Sequence, residues 1–203
     1  MFRSLVFTLV FIAGYSVMSI ELLGGRILAP YFGNSIYVWG SIISVFMLAL
    51  ALGYLIGGQM SLHRPSLRKL GLVLALAAAA IVPLVVFADP VMKWIFSSIY
   101  DPRYGSLCAA LLLFLLPTLI LGIVSPYAIR LLVLSAASSG HMAGKLYFVS
   151  TLGSALGTLA TSFYLVLYFE VNHILLALAG VLLVSGAATW LQRMPVPAVE
   201  ATS

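Results

Sequence analysis

Charge is what this sequence has least of. Only 7% of its 203 residues are charged, ten Lys and Arg against five Asp and Glu, where a surface meant for water carries roughly 25–35%. A water-soluble globule is thereby excluded. The apolar share is 63%, against ~45–50% in an ordinary soluble domain, so the lipid bilayer is the solvent and the first partner. Cysteine is almost absent too: Cys108 stands alone in an apolar run, which rules out an intramolecular disulfide and reads as a small buried hydrophobe. The basic residues are scattered singly instead of forming a stripe, so the surplus of positive charge does not point to nucleic acid.

Chemistry-bearing patterns are missing as well. No Ser/His/Asp set, His-Glu-x-x-His motif or pair of carboxylates occurs, and no strand leads into a Gly-x-Gly-x-x-Gly turn. The three histidines lack metal-ligand spacing. GHMAGK at Gly140 to Lys145 resembles a phosphate loop only superficially, being one residue short between its glycines and carrying Leu146 in place of Ser or Thr. No catalytic residue, metal ligand or cofactor is assigned, and a self-contained enzyme is not expected.

What is present is a series of long apolar runs. A crossing needs about 20 apolar residues, and the breakers divide the chain into six. The first runs from about Leu5 to Leu28, ended by Pro30 and a tight turn at Gly33 and Asn34; no Ala-x-Ala cleavage site follows it, so it reads as a retained helix and not a signal peptide. The second runs from Ile36 to about Met60. SLHRPSLRK is a loop, the third crossing spans about Leu70 to Ala88, and Asp89-Pro90 is expected to stop it. Residues Val91 to Tyr104 mix charge with aromatics and suit a short interfacial helix. The fourth crossing covers Ser106 to Val133, the loop SAASSGH follows, the fifth covers Ala143 to Phe169, and the sixth ends at Trp190 to Arg193. The expected fold is all-α: one polytopic domain over 1–193, with a disordered tail over 194–203.

Six crossings put both termini on one side. Arg3, Arg64, Arg68, Lys69, Lys145 and Arg193 share that side, while only Lys93 and Arg103 lie opposite, where Asp89, Asp101 and Glu170 also fall. The positive-inside rule makes the terminal side cytoplasmic. Tyr31, Tyr37, Trp39, Trp94, Tyr100, Tyr104, Tyr164 and Tyr168 fall near the other interface as an anchoring belt.

Charges within the spans are the candidate site. A charge at the centre of a crossing costs about 2.5–3.5 kcal/mol, so it faces a partner, the bundle interior or a wet cavity. Glu21 and Arg26 stand five positions apart, about 140° around an ideal helix, with Gly24-Gly25 between them. That dipeptide offers a local unwinding through which the two side chains meet each other or partners on other helices. The alternative is that Arg26 snorkels to the interface and Glu21 neutralises it. Arg130 reads as a snorkelling residue or as a counter-charge for Glu21. Gly53/Gly57 and Gly153/Gly157 recur at the four-residue spacing that lets helix backbones approach, within the chain or across a homodimer.

The run from Glu21 to Gly58, ELLGGRILAPYFGNSIYVWGSIISVFMLALALGYLIGG, resembles the N-terminal membrane region of the fused transporter and spermidine-synthase-like proteins of bacteria. SPYAIRL at Ser125 and LYFVSTLGSALGT at Leu146 are similar to that family in the same order. The resemblance implies a bacterial inner-membrane protein. Family members commonly carry a soluble, adenosyl-binding synthase-like domain after these helices, and the sequence ends at Ser203, where that domain would begin. A separate cytoplasmic spermidine-synthase-like partner, anchored or served by this membrane module, is one expectation. The other is transport: the second-to-third helix loop resembles that of major facilitator proteins, though Leu62 stands where those tend to carry an aspartate, and six helices equal half of a twelve-helix facilitator. Such a half-transporter would carry a small solute, an amine or polyamine among the candidates.

Overall fold

The computed structural model describes residues 2–133 and 136–191. They form six long helices and, among the described residues, no strand: α1 (Phe2–Phe32), α2 (Ile36–Ser61), α3 (Leu67–Ser98), α4 (Pro102–Leu132), α5 (Ala136–Ala160) and α6 (Val171–Leu191). From its last residue α5 continues through a π-helical turn, Thr161–Leu165, into a final α turn, Val166–Tyr168. Six spans are long and apolar enough to cross a membrane, so the protein is an all-α, multi-pass membrane protein. The segment expected to be a tail, and Arg193, lie outside the described residues.

Tight connections hold the helices antiparallel. Gly33 takes a φ of +76° as α1 ends, and its N–H donates to the Ala29 carbonyl at 2.9 Å, a left-handed helix stop that favours glycine. Between α2 and α3 the turn passes through Arg64 at φ +47°. Lys69 closes it by donating to the His63 carbonyl at 2.7 Å.

Two expected boundaries are corrected. Asp89-Pro90 does not stop the third crossing, and residues 91–98 are not a separate interfacial helix but the continuation of α3. The buried stripe Ile81, Leu84, Met92 and Ile95 keeps helical spacing straight through the dipeptide, so packing carries the helix past it. Pro83 and Pro90 lie on the exposed side of α3, as do Ala79 and Val86, whose carbonyls lose their donors. No neighbouring helix has to yield to the rings. Likewise Pro30 lies inside α1, and the stretch 136–141, expected to be loop, already belongs to α5.

Helix α1 is the hub, touching each of the other five. Around it α2 lies along α4, α1 along α5, and α3 along α6, while α1 also meets α4. Exchanging the first three helices for the last three turns the α2–α4 pair into the α5–α1 pair and leaves the α3–α6 and α1–α4 pairs unchanged. The exchange also turns the extensive α3–α4 contact into the slighter α6–α1 one, so the pairing matches in part that of two three-helix repeats of inverted topology.

Glycines set the closest contacts. A Cβ on Gly53 would strike the Leu119 carbonyl on α4, and one on Gly57 would come within 2.6 Å of the Ile123 carbonyl. On the other pair, Gly153 and Gly157 face the carbonyls of Phe11 and Tyr15 on α1, and Gly14 faces Ser150 on α5. Both four-residue spacings are therefore used inside the chain, where backbone approach gives the van der Waals packing that membrane helices depend on.

Candidate functional site inside the bundle

One set of hydroxyls inside the bundle lies where the first three helices meet the last three. A cavity of about 80 Å³ lies between α1, α2, α4 and α5, bordered by Gly14, Met18, Tyr54, Ser125, Ser150 and Ser154. Each wall follows from helical spacing. Ser150 and Ser154 stand one turn apart on α5, and the bare surface of Gly14 lets α5 come close enough for Ser154 Oγ to donate to the Gly14 carbonyl at 3.2 Å. On α4, Thr118, Gly122 and Ser125 share one face. The Thr118 hydroxyl is fully buried and makes no hydrogen bond within the described residues. Buried polar atoms without a partner are rare in proteins; this one lies on the helix face of Gly122 and Ser125 without bordering the cavity.

Glu21 lies on the same face of α1 as this cavity, three residues beyond Met18 and seven beyond Gly14. It is half-buried and, among the described residues, has no ion pair or hydrogen bond. The expected meeting of Glu21 with Arg26 does not occur. Gly24-Gly25 leaves α1 helical and serves packing instead. Gly24 lies under the Phe114 ring, where a Cβ would come within 3.2 Å, and Gly25 lies under the Trp39 ring, where it would come within 2.7 Å.

Nor does Arg130 join them. It is exposed in the last turn of α4, where a cation complements the carbonyl end of the helix dipole. Arg26 lies near the other end of the bundle, roughly 30 Å away by helix rise. Glu21, Arg26 and Arg130 are therefore three separate sites.

Helix α5 carries the feature missed in sequence reading. Tyr147, Ser150, Thr151, Ser154 and Thr158 form a polar stripe along one face, and Phe148, Leu152, Leu156, Leu159 and Phe163 form an exposed apolar stripe along another. The 3.6-residue period of hydroxyls in STLGSALGTLATS was the available signal. At the end of this stripe the π-helical turn brings Thr161 inward, where its hydroxyl donates to Ser19 Oγ on α1 at 2.9 Å. Turns of this kind often mark functional sites.

The end of the bundle opposite the termini is organised by acids and aromatics. Asp89 accepts from Tyr31 Oη and from Lys93 Nζ, both at 2.6 Å. Trp39 Nε1 donates to Asn34 Oδ1 at 2.8 Å, and the Arg103 guanidinium lies 5.1 Å from the centre of the Tyr37 ring, a cation–π contact. Among the described residues no three His, Cys, Asp or Glu side chains are grouped as a metal would require. No family model, curated protein or solved structure matches this chain.

Proposed function

We propose that this protein is one half of a transporter for a small cationic solute, an amine in class, and that two such bundles face each other to complete the path. The observation that carries this reading is the hydroxyl-lined cavity between the two repeats, with the unpaired Glu21 one turn away on the same face of α1. Transporters built from inverted repeats hold their substrates at the repeat interface, deep in the membrane. An intramembrane carboxylate without a partner suits a cation that comes and goes. The cavity's 80 Å³ is well short of the roughly 300–1,000 Å³ of a ligand pocket, so one bundle alone cannot enclose an amine of polyamine size. The polar stripe of α5 borders the same open side, which a second bundle would cover.

In this reading the protein belongs to a bacterial inner membrane with its termini in the cytoplasm, as the basic residues at the terminal end favour. Uptake of radiolabelled putrescine and spermidine into proteoliposomes tests it. Glu21→Gln should abolish uptake while leaving the protein folded in detergent, and equal uptake by variant and parent would dispose of the mechanism. The resemblance of residues 21–58 to the fused synthase-like proteins supports a second reading, a membrane module that anchors or serves a cytoplasmic spermidine-synthase-like protein. Co-purification of such a protein from native membranes tests that one.

A further inference from the structure

A second, larger cavity opens at the end of the bundle away from the termini. It measures about 450 Å³ and lies between the end of α1, the start of α2 and the π-helical turn of α5, bordered by Leu22, Gly25, Arg26, Asn34, Trp39 and Ser162. Arg26 is its only ionisable group. The guanidinium has no salt bridge or hydrogen bond within the described residues, although an acid is near: Asp89 borders a smaller cavity on the other side of the same arginine. Both Asp89 oxygens are taken, one by Tyr31 and the other by Lys93. Arg26 is thus an exposed, permanent cation whose neighbouring acid is committed elsewhere.

The remaining walls add donors and no acceptor charge. Asn34 Oδ1 is held by Trp39 Nε1, which turns the Asn34 amide NH2 away from that bond and leaves it free to donate. Helix α2 begins two residues later, and its N-cap Ser35 gives the first turn no side-chain hydrogen bond. Ser162 donates to the Thr158 carbonyl at 2.7 Å and closes the α5 side. Leu22 contributes an apolar wall.

We infer that this cavity is a binding site for a phosphate group, gripped by Arg26 and Asn34, with the apolar wall taking the carbon skeleton attached to it. An arginine fork matches phosphate oxygens in a paired geometry. Neither Glu21 nor the serines of the inner cavity borders it, so the inference stands apart from the transport reading. The phosphate belongs either to a phospholipid headgroup or to a soluble phosphate compound.

Trp39 supplies the readout. In a chain with Trp94→Phe and Trp190→Phe, purified in dodecyl maltoside, the Trp39 fluorescence is followed as dihexanoyl phosphatidylglycerol or inorganic phosphate is added. The expected result is a saturable change that Arg26→Gln weakens at least tenfold and Glu21→Gln leaves as it was. Saturation by the lipid alone assigns a headgroup site, and saturation by inorganic phosphate assigns a soluble anion. Asn34→Leu tests the same site without altering charge, and should weaken binding several-fold even where Arg26→Gln does not fold. No saturable change with either probe in the parent, or equal binding by a folded Arg26→Gln or Asn34→Leu protein, overturns the assignment.

Discussion

The hydroxyl of Tyr127 holds the backbone of Ser66 at both of its polar groups. It accepts from the Ser66 N–H at 2.9 Å and donates to the Ser66 carbonyl at 3.3 Å, which pins the α2–α3 turn to the fully buried ring on α4. Tyr127→Phe keeps the ring and removes both bonds. The Ser66 carbonyl keeps the Leu70 N–H, but the Ser66 N–H loses its partner, at about 1–3 kcal/mol, so the variant should unfold several degrees below the parent in detergent. Equal melting temperatures would show that the turn is held by other contacts.

The glycines divide into those that touch another backbone and those that face open space. Gly53→Ala and Gly153→Ala push a methyl into a carbonyl of the facing helix, and overpacking of this kind costs about 1–3 kcal/mol. Gly180→Ala meets nothing within 4 Å and should be neutral or slightly stabilising, because alanine holds a helix better than glycine. Thermal melts of the three variants should therefore fall into two groups. A uniform response would mean that backbone approach does not govern packing here.

Ser19 and Thr161 form a buried pair joining α1 to the π-helical turn. Ser19→Ala or Thr161→Val alone strands one hydroxyl, at about 1–3 kcal/mol each, whereas removing both leaves nothing unsatisfied. The double variant should be more stable than the sum of the single effects predicts, and a double-mutant cycle reads the difference directly. Strict additivity would dissolve the pair as an energetic unit.

Accessibility along α5 should alternate with its two stripes. In a Cys108→Ser background, Thr151→Cys on the polar face should react with a water-soluble maleimide in membranes, and Phe148→Cys and Leu156→Cys on the apolar face should not. Protection of all three positions would indicate that no water reaches this side of the helix, against the transport reading.

The six crossings were legible because every connection but the one between α4 and α5 carries charge, proline or glycine that lipid would reject, and there the polar SAASSGH run marks the start of α5. Asp89-Pro90 misled for the same reason: the local signal is a stop, and only the buried spacing from Ile81 to Ile95, which runs past it, says otherwise. Glu21 was legible as an anomaly, but its independence from Arg26 was not. Whether Gly24-Gly25 unwinds or packs depends on the Phe114 and Trp39 rings from other helices. Asn34 and Ser162 became part of a site only through the approach of α2 and α5 to the end of α1, a relation no local window of sequence contains.

The wide turn at Thr161–Leu165 has a consequence for inheritance. A π-helical turn holds one residue more than an α turn, so every residue after it stands about 100° from where an uninterrupted helix would put it. Deleting a single codon there would yield a regular helix in which Val166 to Tyr168 keep their present bearing, because the lost residue and the lost offset cancel. Helix α5 can thus lose one residue at this turn without turning its last residues to another face, and the change would be felt within Thr161–Leu165, where the hydroxyl that meets Ser19 stands.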